Sequence, residues 1–296
     1  MALLLDTYGA TDVGLKREHN EDFFYVDDAL GLYIVADGMG GHAAGEVASH
    51  AAIETIGNFV ASAQRDRDFT WPFGIDKNLT TEENLLLSAV KLANGEICGL
   101  AESKAEYNGM GTTVVGLKTD DGGFVAAHVG DSRLYRYRDD KLDLLTSDHS
   151  WVNEQVARSL ITEEEARTHR WRNVITRALG NKYTIDVDIS RTAVETGDVF
   201  LLCTDGLNGM IADQEIHRIL RASAESAEIA TRRLIQRANE AGGHDNITVL
   251  VIRVLGEGKS GKTSDVEPRI TGDVVAATQA IPPDGVSELP PDPTMA

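Results

Sequence analysis

Between Thr112 and Leu145 four apolar, strand-like runs follow one another (112–118, 123–130, 133–138 and 141–145), with no more than four residues between any two. A gap that short cannot hold the crossover that parallel neighbours need, so such strands turn straight back on one another. Further strand patterns lie at 22–27, 31–36, 184–194, 198–204 and 246–254. Helical spacing of apolar residues is confined to 44–62, 82–102 and 225–241, and residues 150–180 are mixed and polar, with short helical pieces. Strands outnumber helices and adjoin one another in sequence. That pattern favours antiparallel sheets with segregated helix pairs over a regular βαβ alternation. No internal repeat is present.

Composition sets the extent of the folded part. Six of the seven prolines lie in 256–296, and none of the Phe, Trp or Tyr residues do. That segment cannot bury enough apolar surface to offset its chain entropy. The expected organisation is one catalytic-size domain over 1–255 and a disordered, Pro-rich acidic tail over 256–296. The net charge of -19, from 28 basic and 47 acidic residues, argues against nucleic acid or an anionic membrane as partner. The start MALLLDTYGATD has no basic leader, and no apolar run approaches the roughly 18 residues of a membrane span. A cytoplasmic monomer is expected. Cys98 and Cys203 fit no metal spacing, and Cys203 in VFLLC reads as a buried thiol.

Residues 256–263, GEGKSGKT, match the phosphate-binding loop pattern G-x-x-x-x-G-K-[ST] after a strand. That loop works because a following helix points its free amides at phosphate. Here SDVEPRITGDVV follows, interrupted by Pro268 and Gly272. A P-loop NTPase is therefore the weaker alternative, and a Gly/Ser/Lys linker the stronger.

A more informative pattern is spread through the domain. LYIVADG puts Asp37 at a strand end, VAAHVGDSRLYRY puts Asp131 in a turn, VFLLCTDGL puts Asp205 at another strand end, and GGHDNITVLVI puts Asp245 just before a strand. In KREHNED, Glu21 and Asp22 lead into the first strand pair, with Arg17 just before. Any one Asp-Gly is ordinary turn chemistry. Several, each flanking a strongly apolar strand, can converge at one sheet edge. Clustered carboxylates repel and need cations, and an all-oxygen ligand set without Cys selects magnesium or manganese over zinc. Two such ions held by bridging carboxylates make a hydrolytic centre for phosphoryl groups.

GLKREHNEDFF, VADGMGGHAAGEVAS, GMGTTVVG, AHVGDSRLYRY, SDHS, ITRALG, LLCTDGL and HDNITVLVI occur in this order. The ordered set, over roughly 8–254, resembles the metal-dependent protein phosphatases of the protein phosphatase 2C type in their bacterial form. The resemblance implies an α+β, four-layer α-β-β-α sandwich: two antiparallel β-sheets flanked by helix pairs, with a flap over about 146–180. It implies a serine/threonine phosphoprotein phosphatase with a dinuclear Mn2+ or Mg2+ centre and a possible third, weaker ion. A bridging hydroxide would attack phosphorus in line, with no covalent phosphoenzyme. Expected partners are phosphoserine and phosphothreonine proteins and a cognate Ser/Thr kinase.

Residue by residue, the resemblance assigns Asp37 as the bridging ligand and the Gly38 carbonyl to the second ion. Asp205 and Asp245 complete the first ion, and Asp131 with Asp205 takes the third. Glu21 and Asp22 hold the second ion's waters. Arg17 grips substrate phosphate through paired, charge-assisted hydrogen bonds. His42 is the candidate proton donor to the leaving oxygen, or else it orders the turn before a helix. His149 and His244 are expected to hydrogen-bond a carboxylate beside the site. Thr112 and Thr113 are expected to place a strand, and Trp151, Trp171 and Arg172 either contact phosphoprotein or pack the flap. An inactive phosphoprotein-binding pseudophosphatase is a further alternative, but such chains lose metal ligands and every matched ligand position here is occupied.

Overall fold

The run Val199–Cys203 is apolar at every position and buried on both faces. Val199, Leu201 and Cys203 face helices, while Phe200 and Leu202 face a second sheet. A strand buried on both sides must be apolar throughout, and that requirement organises the whole molecule. A computed structural model describes residues 2–41, 44–66, 69–258 and 269–271.

In chain order the elements are β1 (Ala2–Asp12), β2 (Asp22–Asp27), β3 (Leu32–Met39), α1 (Ala44–Arg65) and α2 (Thr81–Ser103). A run of strands follows: β4 (Gly111–Thr112), β5 (Val114–Asp120), β6 (Gly123–Val129), β7 (Arg133–Arg138) and β8 (Lys141–Leu144). Then come α3 (Trp151–Ala157), α4 (Glu163–Thr168), β9 (Asp188–Ala193), β10 (Val199–Cys203), α5 (Asp205–Asn208), α6 (Asp213–Ala222), α7 (Ala227–Glu240), β11 (Ile247–Gly258) and β12 (Arg269–Thr271).

One five-stranded sheet runs β1-β11-β10-β7-β8. The other, of seven strands, runs β12-β2-β3-β5-β6-β9, with β4 on β3. All pairings are antiparallel. Phe24, Tyr33, Val35, Phe124, Phe200, Leu250 and Ile252 fill the space between the sheets. Helices α1 and α2 cover the outer face of the larger sheet through Ile53, Ile56, Leu86 and Ala89 against Leu32 and Ile34. Helices α6 and α7 cover the other through Ile216, Leu220, Leu234 and Ala238 against Leu201, Val249 and Val251. The result is the expected four-layer α-β-β-α sandwich. A capping box fixes the start of α2, where the Glu83 N–H donates to Thr80 Oγ1 and the Thr80 N–H donates to Glu83 Oε2.

Three features depart from the sequence reading. Strand β1 was not anticipated, because its apolar residues bunch at Leu3–Leu5 and the rest is mixed and only partly buried. Helices α5 and α6 were also missed: α5 is a single turn, and the apolar face of α6 rests on only Ile216, Ile219 and Leu220 among charged residues. Within 256–296 two stretches are strand. Strand β11 continues to Gly258 because β1 offers a partner along its whole length, and Arg269–Thr271 pair with the otherwise open edge of β2. The remaining tail residues lie outside the described residues.

Phe200 is fully buried and meets Phe124 edge-on at 5.0 Å between the sheets. Phe200→Ala is expected to cost about 3–5 kcal/mol of unfolding free energy. The check is a lowered urea midpoint at an unchanged denaturant slope.

Candidate functional site

The acidic residues singled out in the sequence come from both sheets and meet at one end of the sandwich. Asp22 opens β2 and is the cross-strand partner of Asp37 near the end of β3. Asp205 begins α5 directly after β10, and Asp245 stands two residues before β11. Asp131 lies in the Gly130–Ser132 turn between β6 and β7. Asp37 feels the charges of Asp22, Asp205, Asp131 and Asp245, which places all five carboxyls at this end.

Buried hydroxyls and backbone bonds hold these carboxyls in place. Thr204 Oγ1 donates to Asp22 Oδ2 at 2.8 Å, which ties the two sheets together, and accepts the Thr248 N–H at 3.0 Å. The Asp37 N–H donates to Thr113 Oγ1 at 3.1 Å, and the Asp37 carbonyl accepts from Thr112 Oγ1 at 2.8 Å and the Thr113 N–H at 2.9 Å. Thr112 and Thr113 thus brace the aspartate that follows the apolar run. The Gly38 N–H donates to the Glu21 carbonyl at 3.0 Å, and any Cβ on Gly38 would land on the Gly45 carbonyl. Only glycine lets the backbone of 21, 38 and 45 converge.

Arg17 and Glu21 sit on the segment joining β1 to β2. Buried Asn246 fastens that segment: its Nδ2 donates to the carbonyls of Val13 (3.0 Å) and His19 (2.9 Å), and its Oδ1 accepts the Glu21 N–H (2.8 Å). Arg17 Nη2 donates to Asp245 Oδ2 at 2.7 Å, with both side chains partly exposed. The Asn246, Thr204 and Thr248 roles were missed in the sequence. The available signal was a polar residue directly beside Asp205 and Asp245, namely Thr204 and Asn246; Thr248 stood apart from both.

The electrostatics are those of crowded acids. Burial, then repulsion from Asp22, Asp205, Asp131 and Asp245, holds the Asp37 pKa well above the usual carboxylate range. Burial and the neighbouring aspartates push Asp22 up to about 8 against the opposing Thr204 and Thr248 hydrogen bonds. Burial and Asp205 raise Asp131 to about 7, and burial and Asp245 raise Asp205 to about 6. Burial also raises Glu21. Glu21 Oε1 and Asp131 Oδ1 are buried with no hydrogen-bond partner. Orphaned carboxylate oxygens in an all-oxygen donor set fit hard divalent cations.

Among the described residues, one set of three His, Cys, Asp or Glu ligand atoms lies mutually within 4.8 Å: His128, His149 and Asp188. This cluster, on the far side of the Asp131 turn, can coordinate a metal ion and was not anticipated. His149 does bond a carboxylate as expected, but its partner is Asp188 (3.1 Å) rather than a residue of the acidic cluster. His244 is exposed beside Gly242 and, among the described residues, has no hydrogen bond to a site carboxylate. His42 lies outside the described residues. Within residues 146–180, Trp151 stacks on His169 at 4.9 Å and meets Trp171 edge-on at 4.6 Å, so both tryptophans pack that segment on itself. Among the described residues no helix is long and apolar enough to cross a membrane.

Comparison with known proteins agrees with this architecture. The family model described as Protein phosphatase 2C matches residues 16–245. The serine/threonine phosphatase stp of Listeria innocua is 39% identical over 247 residues, covering 82% of this chain and 93% of that protein. The crystal structure of the Mycobacterium tuberculosis serine/threonine phosphatase PstP/Ppp superposes with a TM-score of 0.74 at 34% identity, over 85% of this chain and 99% of that one. The catalytic domain of PstP, solved in complex with two manganese ions, gives a TM-score of 0.72 at 34% identity, over 86% of this chain and 100% of that one. The fold and site define a metal-dependent phosphoric monoester hydrolase. The chain belongs to the protein phosphatase 2C family of serine/threonine phosphatases, in its bacterial form.

The crowded carboxyls set a pH dependence. Each binds a proton more tightly folded than unfolded, so between an unfolded value of about 4 and the folded values the metal-free folded state holds more protons. Stability is therefore lost as pH rises through about 6 for Asp205, about 7 for Asp131 and about 8 for Asp22. Chelator-treated protein is expected to melt lower near pH 8 than near pH 5.5, with saturating manganese flattening the difference. A metal-free melting temperature that rises across this range would contradict the placement of these carboxyls.

Proposed function

We propose that this chain removes phosphate from phosphoserine and phosphothreonine in proteins, at a centre of two Mn2+ or Mg2+ ions with a third, weaker ion. The observation that carries the reading is the convergence of Asp22, Asp37, Asp131 and Asp205 at one sandwich end, with buried oxygens on Asp131 and Glu21 left without partners. When bound, two such ions lower the pKa of water near them and offset charge on phosphoryl oxygens. Asp37 and the Gly38 carbonyl would hold the second ion, with Asp37 shared by the first. Asp205 and Asp245 would complete the first, and Asp131 and Asp205 would take the third. Glu21 and Asp22 would orient water by hydrogen bonding.

Arg17 is partly exposed beside the cluster and carries a fork of donors suited to two phosphate oxygens. Holding the phosphate there orients it for direct in-line hydrolysis. The leaving serine or threonine oxygen takes a proton, and His42 is the proposed donor. A cytoplasmic location and an opposing Ser/Thr kinase belong to the same proposal, on the strength of the family.

The phosphate-loop reading is disfavoured by a specific feature. Gly256, the first glycine of GEGKSGKT, pairs with Leu4 inside β11, where the loop would need a turn. Lys262 lies outside the described residues. Lys262→Ala is expected to leave phosphatase activity unchanged, and nucleotide hydrolysis lost on that change would instead support the P-loop reading.

Activity should appear as metal-dependent phosphate release from a phosphothreonine peptide and vanish in chelator. Asp37→Asn and Asp205→Asn are each expected to lower kcat/KM about a thousandfold or more, with the circular dichroism spectrum unchanged. Arg17→Ala should act mainly through KM, by about tenfold or more. Full activity in Asp37→Asn would refute the ligand assignment.

A further inference from the structure

His149, near the start of the 146–180 segment, packs on the turn that carries Asp131. Its N–H donates to the Gly130 carbonyl at 2.8 Å, and the Gly130 N–H donates to His149 Nδ1 at 3.0 Å. The two bonds form a clasp on Gly130 alone. The accepting Nδ1 carries no proton, so the neutral ring is protonated on Nε2. That nitrogen faces Asp188 Oδ2 at 3.1 Å. Arg177 Nη1, from the end of the flap, lies 3.0 Å from the same nitrogen and donates to Asp188 Oδ1 at 2.7 Å.

The clasped residue is conformationally unusual and tightly seated. Gly130 has φ +114°, and a Cβ there would sit 2.5 Å from Thr113 Cβ. Thr113 Oγ1 in turn accepts the Asp37 N–H and bonds Ser132 Oγ at 2.7 Å. The turn is thus wedged between the brace of Asp37 on one side and His149 on the other. Asp131, the next residue, is buried with Oδ1 unpartnered, so its direction follows from the backbone that carries it.

His128, His149 and Asp188 could hold a metal ion, but two contacts favour a hydrogen-bond relay. A metal on Nε2 would move the ring proton to Nδ1, against the Gly130 N–H. It would also share that side with the Arg177 guanidinium.

We propose that His149 is a positioning residue for the Asp131 carboxylate: through Gly130 it sets the orientation in which Asp131 meets the acidic cluster, and Asp188 at the start of β9, itself held by Arg177, anchors its ring. The inference rests on the reading of Asp131 as a ligand of the weaker ion.

Equilibrium dialysis of the full chain with Mn2+ alone tests it, comparing the parent with Asp131→Asn, His149→Gln, His149→Asn and Asp188→Ala. Gln places its amide near the old Nε2 and loses the acceptor for Gly130; Asn keeps an acceptor near the old Nδ1. The expected result is that Asp131→Asn loses the weaker ion. His149→Gln weakens it about tenfold or more, and His149→Asn stays within about threefold of the parent. The two tighter ions are unchanged throughout. Asp188→Ala, at an exposed position that leaves the fold intact, is expected to weaken the same ion at least about threefold by freeing the ring.

Parent-like binding by His149→Gln, or equal losses in His149→Gln and His149→Asn, would overturn the proposal while Asp131→Asn still showed a third site. Should His149→Gln fail to fold, parent-like binding by Asp188→Ala overturns it. Parent-like binding by Asp131→Asn would overturn the third-ion reading itself, and the proposal with it.

Discussion

Asp22, Asp37, Asp131 and Asp205 repel one another across one end of the sandwich, and the surrounding structure is arranged to hold them there. Burial first, and that repulsion after it, raises their pKa values. Carboxylates gathered from four strand ends cannot be held by one loop. They need two rigid sheets whose ends meet, and the aromatic and aliphatic layer around Phe124, Phe200 and Leu250 supplies that rigidity. The Thr204–Asp22 hydrogen bond then fixes the sheets in register at the site itself. Hydroxyls suit this task because they donate to a carboxylate without adding charge. A lysine in the same place would neutralise the repulsion and with it the affinity for cations.

The polar supports are buried, and each serves more than one partner. Asn246 satisfies three backbone groups of the segment that carries Arg17 and Glu21. Thr113 serves both Asp37 and Ser132. Such sharing keeps buried groups satisfied while leaving particular carboxylate oxygens open. The openings are therefore selective: in a shell where Thr, Asn and Ser hydroxyls and amides find partners, Glu21 Oε1 and Asp131 Oδ1 do not.

VFLLC and LYIVA were legible as strands because each is a short, strongly apolar run, and the aspartates ending those runs pointed to the candidate site. Strand β1 was not legible. Its pattern is weak, and it exists because β11 offers twelve residues of edge for it to pair with. The same pairing drew Gly256–Gly258 into a sheet that composition alone assigned to a tail. Asn246 and Thr204 were visible only as polar neighbours of Asp245 and Asp205; their bonds reach residues 182 to 233 positions away, and local sequence does not name such partners. His149 was visible as a histidine near a motif, yet its partner Asp188 could be identified only once β9 was seen beside β6.

Arg17 shows how the charges of the site depend on one another. Its guanidinium contacts Asp245 at 2.7 Å and also feels Glu21 and Asp37. One cation cannot balance so many acids, and it settles on the partly exposed Asp245. On the proposed reading, a divalent ion at Asp245 and Asp205 draws on the same carboxylate charge that now holds Arg17. The ion pair is then weakened when the ion binds, and the guanidinium is left to pair with phosphate oxygens instead. Filling the cation site and readiness for the phosphoryl group are in this way two sides of one competition for Asp245. The partly exposed position of the pair means that the exchange requires only a side-chain rotation, with the backbone still pinned by Asn246.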